Sequence, residues 1–300
     1  MSLSLDAALA ALRNLQATLN EAAAEGQEVE EGDHADWLAQ RLLEPDHCSR
    51  LSVADLGGAL AVEYRGSEYE GWSEFLDLLG RPGIAPHLVQ LRISGPDEGA
   101  NGLKEWDFAP LIAARPDFSG LRAFQVAISD PGDHNQACIA DDQLPTLIAR
   151  MPALRTLELP QAPEPDFFAL DLPQLKRIRT GGDWRTRGFI GHLAEATRLP
   201  ALGFIDFTDS SAPFLSLTPA ETPEWDSTPF AEYERLFRSP VLERAWGIRL
   251  RNARLTEAEY RALSAIRPKC QFSVVIEPPH VYVSHWGTTD FPYSHLLPFG

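Results

Sequence analysis

The sequence predicts an α/β protein in which short parallel strands stack side by side and helices join one to the next, forming a curved solenoid. Three observations predict it. An apolar pattern, Leu88-x-x-Leu91-x-Ile93, recurs as Leu121-x-x-Phe124-x-Val126, Leu154-x-x-Leu157-x-Leu159, Leu175-x-x-Ile178-x-Thr180 and Leu202-x-x-Ile205-x-Phe207. Degenerate copies follow at Ala245-x-x-Ile248-x-Leu250 and around Cys270-x-Phe272-x-Val274. A proline or turn introduces most copies (Pro86, Pro152, Pro173, Pro200, Pro240, Pro268), and a helix-like stretch precedes most of them. A fixed pattern that returns at intervals of a few tens of residues is the mark of a repeat architecture.

Taken in order, the chain opens on a helix. Leu5, Leu9, Leu12 and Leu19 fall near i, i+4, i+7 spacing, with Ser4 as N-cap. The stretch Glu25-Gly-Gln-Glu-Val-Glu-Glu-Gly-Asp33 repels itself and has little to bury, so it reads as an exposed linker. Asp36–Glu44 makes a second short amphipathic helix that Pro45 stops. A β-like run, Ala59-Leu-Ala-Val-Glu-Tyr64, follows the pair Gly57-Gly58, and Gly71–Leu79 returns to helical spacing. The repeats then run from residue 86. Leu144–Met151 and Gly191–Arg198 are the clearest of the intervening helices. Residues 1–45 are expected to form an acidic helical N-terminal cap, 46–276 the repeat body, and 277–300 an aromatic, proline-rich tail folded over the last repeat.

Charge is unevenly placed. The 300 residues carry 26 Lys+Arg against 43 Asp+Glu, a formal net of −17. The first 80 hold 4 basic and 16 acidic residues, so −12 of that total lies outside the clear repeats. Such acidity argues against a nucleic-acid or anionic-membrane binder, which depends on clustered Lys and Arg. No run of about 18 apolar residues offers a membrane span. The start MSLSLDAALAAL lacks a positive n-region and carries Asp6, so no secretory signal is expected. Cys48, Cys138 and Cys270, odd in number and far apart, read as buried thiols in a reducing cytoplasm.

The repeated pattern resembles that of leucine-rich-repeat proteins, of the irregular bacterial cytoplasmic kind, over residues 86–276. Ile248-Arg-Leu-Arg-Asn-Ala-Arg-Leu-Thr-Glu-Ala-Glu-Tyr-Arg-Ala-Leu263 looks like the strand, turn and helix of one such repeat. The resemblance implies a concave parallel sheet with helices outside, and a role in protein recognition. The chain departs from the family where repeats place asparagine: here stand Pro96, Ser129, Ala162, Asp183, Ser210 and Ala253. Without that ladder, irregular repeats with variable loops are expected.

Strand side chains alternate, so inward leucines leave their neighbours on the opposite face. Those neighbours include Arg92, Gln125, Glu158, Arg177, Arg179, Phe204, Asp206, Arg249 and Arg251, with Trp184 in a nearby loop. Two readings compete. The arginines solubilise the sheet by pairing with Glu158 and Asp206, or they form a binding face whose Arg, Phe204 and Trp184 anchor a partner protein.

Chemical signatures are few. No GxGxxG, P-loop, HExxH, CxxC or GxSxG occurs. Asp133, His134 and Cys138 could ligate a metal, but a polar turn beside a buried thiol is the better reading. His47-Cys48 is an improbable nucleophile–base pair, and His280, His285 and His295 sit among the tail's aromatics. No cofactor or metal is expected. The expectation is a cytoplasmic, non-catalytic module that binds another protein through the strand face or the acidic N-terminal region. An immunity- or inhibitor-type binder of a basic enzyme would fit. The alternatives are an adaptor gripping an acidic segment, or a hydrolase with its site on the irregular loops.

Overall fold

The computed structural model describes residues 3–25, 50–69, 71–96, 102–129, 135–140, 142–181, 186–209, 227–267 and 269–276. It is an α/β fold built on a mostly parallel nine-stranded sheet. The strands are β1 (Arg50–Asp55), β2 (Leu60–Arg65), β3 (Leu88–Ser94), β5 (Ala123–Val126), β7 (Thr156–Leu159), β8 (Arg177–Thr180), β9 (Phe204–Thr208), β10 (Gly247–Arg251) and β11 (Gln271–Val275). They lie side by side in chain order, β1-β2-β3-β5-β7-β8-β9-β10-β11. From β2 onward every neighbouring pair is parallel.

All seven copies of the apolar pattern thus become strands, and alternation decides their faces. Leu91, Ile93, Phe124, Val126, Leu157, Leu159, Ile205, Phe207, Ile248 and Leu250 are each 0% exposed. At the far edge Phe272 and Val274 of β11 are only partly buried. Helices α1 (Leu5–Glu25), α2 (Trp72–Gly80), α3 (Ala109–Ala114), α4 (Gln143–Ile148), α5 (Phe189–Glu195), α6 (Phe230–Arg238), α7 (Pro240–Arg244) and α8 (Glu257–Ile266) supply the rest of the core. α1 lies against β1 and buries Ala8, Leu12 and Leu19. α2 buries Trp72, Phe75, Leu76, Leu78 and Leu79. Its start joins an aromatic cluster, with Tyr64 stacked on Phe75 at 5.0 Å and Trp72 edge-on to Trp106 at 4.9 Å. A capping box holds the start of α8: Thr256 accepts from the Glu259 N–H, and Glu259 accepts from the Thr256 N–H.

Three features depart from the sequence reading. β1 is a further strand, antiparallel to β2, and the hairpin closes on Gly57 and Gly58, both at positive φ. Gly57 N–H donates to Asp55 Oδ1 at 2.8 Å, an Asx turn. β1 escapes the pattern because Leu51 is its only fully buried residue. Next, the stretch read as a polar turn contains β6 (Asn135–Ile139), which pairs in parallel with β4 (Gly102–Trp106) in a separate two-stranded sheet. Cys138 is buried there as expected, whereas Cys270 is only half-buried. Finally, buried polar residues stand one position before the family's asparagine site, at Asp209 and Asn252. The acidic linker, the second N-terminal helix and the tail lie outside the described residues.

Asp209 shows how a buried carboxylate is satisfied. It accepts from Thr228 N–H at 3.1 Å, Thr228 Oγ1 at 3.1 Å and the Tyr233 hydroxyl at 2.8 Å, tying the end of β9 to the start of α6. Burial, then the Asp209 charge, pushes the Tyr233 phenol well above its ordinary pKa. A raised folded-state pKa means this stabilisation is complete below the unfolded tyrosine value, about 10, and is lost as pH rises through the higher folded value.

Two outcomes follow from this packing. Leu157→Ala, at a fully buried position, should cost about 2–5 kcal/mol in urea unfolding, against under about 0.5 kcal/mol for exposed Gln90→Ala. Tyr233→Phe should cost about 1–3 kcal/mol at pH 7 and flatten the loss of stability above about pH 10, as read by melts across alkaline pH.

Candidate functional site

The outward sheet face is where the alternation expects it, but its charges are largely spent on one another. Arg92 of β3 faces Glu63 of β2 at 3.5 Å. Glu158 of β7 accepts from Gln125 Nε2 of β5 at 3.2 Å and pairs with Arg179 of β8 at 3.5 Å. Asp206 of β9 is 5% exposed and is gripped from β10: Arg251 donates from Nε at 2.6 Å and from a terminal nitrogen at 3.1 Å. Arg249 adds a longer contact to Asp206 at 3.4 Å, and its Nε donates to Ser273 Oγ of β11 at 3.4 Å. Much of the strip is therefore a ladder of cross-strand pairs. Glu158 and Asp206 do take arginines, as the solubilising reading holds. Glu63, outside the expected set, takes one more.

What stays available gathers on the second half of the sheet. In-register pairing puts Arg177, Phe204, Gly247 and Gln271 in one row across four strands. Trp246, next to that row, is 49% exposed. Its indole stacks on Phe204, centroids 4.6 Å apart and planes within 18°. The Arg177 guanidinium sits over the Trp246 ring at 5.7 Å and that of Arg249 over Phe204 at 5.8 Å. A cation thus covers each ring of the pair. Arg177 has no carboxylate partner among the described residues.

Two glycines make the stack possible. A Cβ on Gly203 would stand 2.8 Å from the Trp246 ring, and one on Gly247 would stand 2.9 Å from Phe204. Any larger residue at either place would push a ring away. Trp246 was missed because it lies off the strand alternation, one residue after the pattern's leading position. The signal was present: the equivalent positions hold Val89, Arg122, Arg155, Lys176 and Gly203, so Trp246 is the one aromatic residue in that column.

Of the expected anchors, the structure unites Arg177, Phe204 and Arg249 with Trp246, and it engages Asp206 and Arg251 in an inner ion pair. Arg92 and Gln125 belong to the first half of the sheet. Trp184 lies outside the described residues, as do Asp133, His134, His47, Cys48 and the tail histidines. Among the described residues no group of three or more His, Cys, Asp or Glu could hold a metal ion. No helix among them is long and apolar enough to cross a membrane. No protein-family model matches the chain, and neither does any curated protein or solved structure.

The inner and outer arginines should behave differently. Arg251→Ala strands a buried carboxylate and should cost about 3 kcal/mol in urea unfolding, much of which Asp206→Leu/Arg251→Leu recovers. Arg177→Ala removes an exposed cation–π contact and should cost under about 1 kcal/mol.

Proposed function

We propose that this protein is a non-catalytic recognition module that binds a partner protein across its outward strand face. The observation that carries the proposal is the stack Arg177–Trp246–Phe204–Arg249, in which a guanidinium covers each ring of an aromatic pair on the outward sheet face. Arginine and tryptophan are the residues most enriched among interface hot spots, because they contribute large contact area and directed hydrogen bonds together. The partner segment is acidic with an apolar residue beside the acid. The acid meets the planar forks of Arg177 and Arg249, and the apolar side chain rests on Trp246. The overall form is a curved strand–helix solenoid of the leucine-rich-repeat kind, supported by strands stacked in chain order, and such solenoids use their extended sheet surface for binding. Its place of action is a reducing cytoplasm, in keeping with three cysteines that are odd in number and far apart in the sequence.

A second reading rests on the −12 carried by residues 1–80. An acidic region of that density would steer a basic partner into contact, as an immunity- or inhibitor-type binder does.

Affinity capture from the native cell at low and high salt tests both readings, using the full chain and its Arg177→Ala/Trp246→Ala variant. The first reading expects an acidic partner whose affinity falls roughly tenfold or more in the variant while the melting temperature holds. A basic partner, bound equally by both proteins and released by salt, would replace it with the second.

A further inference from the structure

A row of cations runs along the end of the sheet where the strands begin, and it leads to the Trp246 stack. Arg122, Arg155, Lys176, Gly203 and Trp246 each follow the leading apolar residue of their repeat. Backbone hydrogen bonds string these positions together across neighbouring units. Arg155 N–H donates to the Arg122 carbonyl at 2.8 Å, Lys176 N–H to Arg155 at 2.8 Å, Gly203 N–H to Lys176 at 2.9 Å and Trp246 N–H to Gly203 at 2.8 Å. Adjacent strands lie about 4.8 Å apart, so the row from Arg122 to Trp246 is about 19 Å long. Arg122, Arg155, Lys176 and the neighbouring Arg177 are all exposed. The turns that enter these strands close alike, through N–H bonds from Leu121 to Phe118, Leu154 to Met151, Leu175 to Leu172 and Leu202 to Leu199. The residues inside those turns, Ser119-Gly120, Pro152-Ala153, Pro173-Gln174 and Pro200-Ala201, include no acid. On the other flank stand Ala123 and Thr156, and the next carboxylate along β7, Glu158, is already engaged by Gln125 and Arg179. Arg122, Arg155, Lys176 and Arg177 thus have no carboxylate partner among the described residues. Like charges held side by side on neighbouring strands repel, so the row lowers stability until something negative covers it.

We propose that the acidic segment of the partner protein lies across the strands along this row, its carboxylates on Arg122, Arg155 and Lys176 and its apolar residue on Trp246. The inference rests on the recognition reading above and adds the direction, the length and three further contact residues. At about 3.3 Å per residue, an extended segment of about six residues spans the row. The two arginine forks take carboxylates through paired N–H donors, and Lys176 supplies a compact charge between them and the stack. The occupant is a short stretch of protein rather than a nucleic acid. A molecule of net charge −17 repels a long polyanion, whereas a segment confined to the row meets mainly the local cations, with distant charges screened.

The test is fluorescence anisotropy of a labelled peptide, five glutamates followed by one leucine, titrated with the full chain at physiological ionic strength. The natural chain should bind it saturably. Arg122→Gln/Arg155→Gln/Lys176→Gln should weaken binding roughly tenfold or more. Arg13→Gln/Arg238→Gln/Arg254→Gln removes the same charge from exposed positions elsewhere and should change it by less than about twofold. Circular dichroism melts establish that each variant is folded. A Trp246→Ala variant separates this inference from the reading it rests on. Binding lost in the row variant but kept in Trp246→Ala upholds the row and removes the stack. Binding lost in Trp246→Ala but kept in the row variant overturns the row and leaves the stack standing. Absence of saturable binding by the natural chain, equal weakening by both triple variants, or tighter binding of a thymidine decanucleotide than of the peptide would also overturn the proposal.

Discussion

Everything in this fold depends on burying three apolar side chains per strand that no single strand–helix unit can cover alone. The inward residues Leu121, Phe124 and Val126 of one unit are each 0% exposed, and so are Leu154, Leu157 and Leu159 of the next. Stacking neighbours in parallel turns these separate triplets into one continuous core. Because strand side chains alternate, the same requirement places the intervening residues on the opposite face in register. Arg177, Phe204, Gly247 and Gln271 come from distant parts of the chain and share a row for that reason.

Register also controls the electrostatics of that face. Glu63 beside Arg92, Glu158 beside Arg179, and Asp206 beneath Arg249 and Arg251 are all neighbours across strands. The exposed pairs contribute little to stability. Asp206 with Arg251 is different, because both side chains are largely withdrawn from water and removing either partner leaves the other's charge poorly compensated. Net charge is thus a poor guide to this surface. Charges pair across strands over much of the face, while Arg177 of β8 and Arg65 of β2 have no carboxylate partner among the described residues.

Most of the sheet was legible in the sequence, for a physical reason. A period of two in apolar residues, renewed at each repeat, encodes strand, face and burial at once, and it located β3, β5, β7, β8, β9, β10 and β11. The parts that escaped lack that signal. β1 buries one residue fully, while β4 and β6 pair only with each other, so nothing local marks them as strands. The site was half legible. Alternation named Arg177, Phe204 and Arg249, but the stack that organises them depends on Trp246 approaching over Gly203, a contact between neighbouring repeats that no single repeat contains.

The parallel, chain-ordered sheet can be tested through its amide protons, since strand amides bonded on both sides exchange only when the core opens. Residue-resolved hydrogen exchange should find the amides of β3 through β10 exchanging slowly and at similar rates, with β11 faster at its half-covered edge. Rapid exchange across any interior strand, such as β7 or β8, would break the row at that point and contradict a single continuous core.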